Sequence, residues 1–223
     1  MPSPARTANS ATTGALDHAK CELPLREGLQ GAGHPATLAT RHQLAVFTGW
    51  AGDPARARDL FAALLPDIER VLGAGHPATL ATRHQLAVFT GEAGDPAGAR
   101  DLFAALLPVK ERVLGAGHPA TLAARHQLAV FTGEAGDPAG ARDLFAALLP
   151  DMERVLGVGH PATLAARHQL AVFTGRAGDP ARARDLFAAL LPVRERVLGA
   201  GHPDTLTTRA ELAYWTRKAA SAG

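Results

Sequence analysis

The chain has 223 residues, 47% hydrophobic but only 5% aromatic and dominated by Ala and Leu, which favours closely packed helices over a β-sandwich rich in Val, Tyr and Phe. With 23 basic against 21 acidic residues, it lacks the basic footprint of a nucleic-acid binder. A lone Cys21 excludes an internal disulfide, no Cys/His cluster has zinc-site spacing, and no apolar run reaches the roughly 20 residues of a membrane span. The expected setting is reducing and cytoplasmic, with no membrane or nucleic-acid partner.

Residues 1–15 (MPSPARTANSATTGA) lack the apolar core of a secretory signal and read as a disordered leader, and Met1 favours a free-standing protein. Residues 16–33 read as a degraded second half of a repeat. Leu23-Pro24, Glu27 and Gly31-Ala32-Gly33 match Leu65-Pro66, Glu69 and Gly73-Ala74-Gly75. The motif HPxTL then starts at His34, His76, His118, His160 and His202, a step of 42 residues without insertion or deletion. Such spacing requires every unit to stack on the next in the same way. Four full repeats occupy 34–75, 76–117, 118–159 and 160–201, and 202–223 supplies a terminal first helix and tail.

Within the first repeat, His34-Pro35 starts helix A, expected over 35–50, with a capping residue before a first-turn proline. Leu38, Leu44, Ala45 and Phe47 fall largely on one side, and Gly52 ends the helix. Asp53-Pro54 opens helix B after a very short turn, which makes the pair an antiparallel hairpin. Helix B carries Ala57, Leu60, Phe61, Leu64, Leu65, Ile68, Val71 and Leu72 at amphipathic spacing and stops at Gly73. Pro66, Pro108, Pro150 and Pro192 fall inside the B helices and predict a bend there rather than a break. The pairs Asp67-Ile68, Val109-Lys110, Asp151-Met152 and Val193-Arg194 shift the apolar residue by one position, about 100° around the helix. That predicts an 84-residue double unit with slightly different successive interfaces. The fold class is all-α: an α-solenoid of antiparallel helix pairs forming a right-handed superhelix.

The 42-residue length, the HPxTL start, Leu44-Ala45, the turn Gly52-Asp53 with Ala57, and the LFxxLL…ERVLG second helix resemble the tetratricopeptide repeats of kinesin light chains. The same long repeat occurs in bacterial signalling proteins. The resemblance implies a scaffold that binds a protein or peptide partner in a concave groove lined by helix A, and neither an enzyme nor a cofactor.

By that alignment the groove presents His42, Gln43, Val46, Gly49 and Trp50 in the first repeat, and His84, Gln85, Val88, Gly91 and Glu92 in the second. His126, Gln127, Val130 and Glu134 follow in the third, then His168, Gln169, Val172 and Arg176. Kinesin light chains place asparagine pairs about where His-Gln stands here. A ladder of hydrated histidines would make binding respond to pH between about 5 and 7. Trp50, Glu92, Glu134 and Arg176 share one position that varies while its surroundings are copied, and suit a short peptide with an apolar residue and a basic segment.

Nine of the ten histidines occupy two repeat positions, so equivalents are set apart by about 10 Å of helix packing. Unlike groups do not converge, which argues against catalysis and shared metal ligation. His34 and its equivalents read as caps. Gly73-Ala74-Gly75 lacks the Lys-Ser/Thr of a phosphate loop and reads as a turn. The array opens on a lone B-like helix and closes on a lone A-like one, so head-to-tail self-association is the alternative.

Overall fold

Proline at the first helical position and a capping side chain just before it set most helix starts. In the computed structural model the backbone is described for residues 4–221 and the side chains for residues 13–221. The helices are α1 Pro4–Gln30, α2 Pro35–Trp50, α3 Pro54–Leu72, α4 Pro77–Glu92, α5 Pro96–Leu114, α6 Pro119–Glu134, α7 Pro138–Leu156, α8 Pro161–Arg176, α9 Pro180–Leu198 and α10 Pro203–Ala220. Helices A and B of the first repeat thus have the expected bounds. His34 Nδ1 accepts from the Ala36 N–H at 3.2 Å, and Asp53 accepts from the Arg56 N–H at 3.0 Å. These side chains satisfy N–H groups that the first helical turn leaves without a partner. Gly73, at φ +88°, ends α3 in a backbone conformation that side chains avoid.

The expected leader differs: the chain is helical from Pro4, and residues 1–3 lie outside the described ones. No proline interrupts 5–23, and Ala-rich sequence sustains the helix. In α1, Glu22 and Arg26 pair at 2.6 Å where α3 has Leu64 and Ile68, so the unpaired face of this half-repeat is polar. All four B helices run unbroken through their prolines.

The helices divide into two compact units, residues 1–113 and 114–223. In the first, α1 packs on α2, α2 on α3 and α3 on α4; in the second, α6 to α10 pack in sequence. The first core joins Ala45, Val46, Ala57, Phe61, Leu86 and Phe89, and beside it Leu38, Leu64 and Ile68. Phe61 stacks on Phe89 at 5.7 Å and is fully buried, a burial that stabilises by about 1.5–3 kcal/mol. The second unit repeats this with Phe145 on Phe173 at 6.0 Å, then Phe187 beside Trp215.

Side chains show how the double unit works. Position 68 stays buried in every repeat, whether it holds Ile68, Met152, Lys110 or Arg194. The expected rotation of the apolar face therefore does not occur; the cation is buried instead. In α3, Asp67 receives Arg41 at 2.8 Å and Glu69 receives Arg83 at 2.7 Å. In α7, Asp151 receives Arg125 at 2.7 Å and Glu153 receives Arg167. With Val109 and Val193 in place of those aspartates, α5 and α9 lack the first of these acceptors. Half-exposed pairs of this kind contribute about 0–1 kcal/mol each, but their geometry distinguishes odd repeats from even ones.

Candidate functional site

Each of the four histidines expected on the groove lies edge-on to the phenylalanine of its own B helix. His42 meets Phe61, His84 meets Phe103 and His126 meets Phe145, each at 5.1 Å, and His168 meets Phe187 at 5.2 Å. Burial holds the His42 and His126 imidazoles below the usual histidine range. Burial pushes His84 and His168 down to about 4, helped by the charges of Lys110 and Arg194 respectively. Burial disfavours the charged form of all four rings, which are half-buried packing groups rather than the fully hydrated ladder expected. His42 Nδ1 lies 3.1 Å from the Thr82 hydroxyl, whose own proton goes to the Ala78 carbonyl at 2.9 Å. The histidine is therefore the donor.

The valines are also drawn inward. Val46 is buried in the first core, Val88 is half-buried, and Val130 and Val172 pack against the cores of the second unit. Gly49 does not line an open surface, because the Phe89 ring covers it and a Cβ there would overlap that ring. Gly133 meets Phe173 and Gly175 meets Trp215 in the same way. What remains accessible is the glutamine row and position 50. Gln43 is exposed, while Gln85, Gln127 and Gln169 are half-buried. Trp50 is 63% exposed and edge-on to Phe47, and Glu92, Glu134 and Arg176 are exposed. Partial burial raises the Glu92 carboxyl above its ordinary range, and Arg176 lies over the Phe173 ring at 5.5 Å.

An apolar cavity of about 340 Å³ opens in the first unit, lined by Pro35, Leu38, Ala39, His42 and Gln43 of α2, Ile68 and Leu72 of α3, and Ala78 and Ala81 of α4. His42 and Gln43, expected on the groove, are among its lining residues, and Ile68, Leu72 and the alanines, which the sequence does not single out as site residues, complete it. The signal was present in the alternation at 67 and 68, which marks the floor of each repeat as apolar or cationic. At that position in the fourth repeat, Arg194 donates to the Asp204 carbonyl at 2.8 Å, the Thr208 hydroxyl at 2.7 Å and the Leu164 carbonyl at 3.3 Å.

Among the described residues no three His, Cys, Asp or Glu side chains converge as metal ligands, and no helix is long and apolar enough to cross a membrane. The arrangement offers helix-borne surfaces repeated in register. The sequence profile of the tetratricopeptide repeat family matches residues 37–107, 121–162 and 163–204, more than half of the chain. A search of curated proteins by sequence gives no match. Among solved structures, the chain is similar to a kinesin-light-chain-type protein of Podosopora anserina with nearly identical TPR-like repeats. The TM-score is 0.76 at 24% identity, covering 86% of this chain and 92% of that one. BtubC of P. vanneervenii gives 0.73 at 16% identity over 98% and 85%. Bacillus thuringiensis PlcR, in complex with the peptide PapR7 and DNA, gives 0.62 at 14% over 94% and 69%. At such identities these structures speak for the fold alone, whereas the profile matches speak for lineage: the chain belongs to the tetratricopeptide repeat family.

Proposed function

We propose that this protein is an interaction scaffold, without catalytic activity, that holds a peptide or protein partner on its helix-A face. The observation that carries the reading is the contrast at position 50. Caps and most core residues are copied from repeat to repeat and the variation at position 68 is buried, whereas the exposed Trp50, Glu92, Glu134 and Arg176 differ on helix A. Packing constrains the copied residues; variation among exposed ones at a single register position fits side chains that contact a ligand. The glutamines beside them supply amide donors and acceptors for a peptide backbone. The PlcR relative, solved with a bound peptide, supports the class of ligand. Capture from host lysate with the wild-type chain and with Gln43→Ala/Trp50→Ala/Glu92→Lys tests it. Specific partners lost in the variant support the face, and an unchanged set of partners overturns it.

A second reading is head-to-tail self-association. It is favoured by α10, which leaves Leu206 at 49% and Tyr214 at 43% exposure, and opposed by the Glu22–Arg26 pair on α1. Light scattering across a concentration series decides it: a constant monomer mass removes this reading.

A further inference from the structure

The cavity of the first repeat has no assigned occupant. Resting on the helix-A reading above, we infer that it is the anchor subsite of that face and takes an aliphatic side chain from an extended peptide bearing apolar and basic residues. Its lining is apolar apart from His42 and Gln43, and about 340 Å³ is the small end of ligand pockets, a size for side chains rather than a folded domain. The floor sets the first repeat apart. Ile68 is compact and branched, whereas the same register position holds Lys110, Met152 and Arg194 in the other repeats, all longer and unbranched at Cβ.

The ligand's chemistry follows from what surrounds the opening. Gln43 and Trp50 lie seven residues apart on one face of α2, about 10 Å along the axis. A peptide in the extended polyproline II conformation covers that distance in about three residues and returns its side chains to the same face every third residue, so apolar side chains at positions i and i+3 reach the cavity and the exposed indole together. Arg41 and Arg70 share Asp67, at 2.8 and 3.1 Å, so the net positive charge of that cluster belongs to the stretch of α2 before Gln43 and not to the end that carries Trp50. Glu92, at the position on α4 that Trp50 holds on α2, is exposed and has no ion-pair partner among the described residues. The uncompensated charge beside the indole is negative, so the segment is basic next to its second apolar residue.

The test is fluorescence anisotropy with two labelled peptides, GSLSGLKKGS and its reversed order SGKKLGSLSG, which cover both chain directions. Ile68→Lys occupies the floor with a residue that the second repeat accommodates at the same position, and Ala81→Met fills the cavity from its rim. Each is expected to weaken binding of the preferred peptide by about tenfold, while Met152→Lys in the second unit leaves it unchanged. Replacing the pocket leucine by serine is expected to do the same as filling the cavity. If neither peptide binds below about 1 mM, or Ile68→Lys binds as wild type does, the pocket assignment falls. If Trp50→Ala weakens binding and Ile68→Lys does not, the face survives without the pocket; if neither matters, both fall.

Discussion

The Arg194 guanidinium donates to the Thr208 hydroxyl at 2.7 Å, binding α9 to α10 through a cation that is only 5% exposed. A second nitrogen reaches the Leu164 carbonyl of α8, while Nε has no partner. Its hydrogen-bond partners are carbonyls and a hydroxyl, and the Asp204 carboxylate acts on the buried charge only through space.

That asymmetry predicts opposite outcomes for the two residues. Thr208 already donates to the Asp204 carbonyl at 2.8 Å, so losing the arginine leaves it satisfied. Arg194→Met copies the third repeat and should leave urea stability unchanged or raise it by about 1 kcal/mol or more. Thr208→Val removes an acceptor from a buried cation and should destabilise by about 1–3 kcal/mol. In the Arg194→Met background the Thr208→Val effect should largely vanish, a coupling that a double-mutant cycle in urea measures.

Helix bounds, caps and stops were legible in the sequence because Pro, Asp, His and Gly act locally. His34 caps α2, Asp53 caps α3, and Gly52 and Gly73 take positive φ. What the sequence could not reveal depends on the neighbouring helix. A histidine and a glutamine adjacent on α2 have different fates, His42 against Phe61 and Gln43 exposed, because α3 and α4 cover only one of them. Ile68 and Lys110 carry opposite hydropathy at an equally buried position, which periodicity cannot resolve. Residues 4–15 read as a leader from polar composition alone, whereas the backbone of α1 is helical from Pro4.

Acid should weaken the fold through its histidines. Burial first, then Lys110 and Arg194, push His84 and His168 down to about 4 from 6.5. Between those values the unfolded chain takes up protons that the folded one refuses. The stability is thus fully present above pH 6.5 and falls as pH drops toward 4, by up to about 1.4 kcal/mol per pH unit per group. Asp67 and Asp151, held low by hydrogen bonds from Arg41 and Arg125, add losses only at lower pH. Urea midpoints at pH 7.5 and 5 should differ clearly in the wild type and much less in His84→Gln/His168→Gln.

The threonine of HPxTL is a place where the chain gives up stability. Thr121 is fully buried in α6, and its hydroxyl has no hydrogen-bond partner. Thr37, Thr79, Thr163 and Thr205 are alike. Thr121→Val removes the unpaired polar group at nearly constant shape and should stabilise by about 1 kcal/mol or more. A lower melting temperature would mean that the hydroxyl is satisfied in solution.

Gly133 sets two known effects against each other. It lies inside α6, where alanine is the better helix former by about 1 kcal/mol, so an exposed site would gain from Gly133→Ala. Here the Phe173 ring from α8 occupies the space a Cβ needs, and Phe173 is itself buried between helices and stacked on Phe145. The ring cannot withdraw without disturbing that stack, and overpacking of this kind costs about 1–3 kcal/mol. Gly133→Ala should therefore be net destabilising by roughly 1–2 kcal/mol. Adding Phe173→Leu, which removes the ring edge, should recover part of the loss, although the same change alone in the wild type is destabilising. That reversal of sign in thermal or urea unfolding is the signature of a steric contact; equal effects of Phe173→Leu in both backgrounds would exclude one.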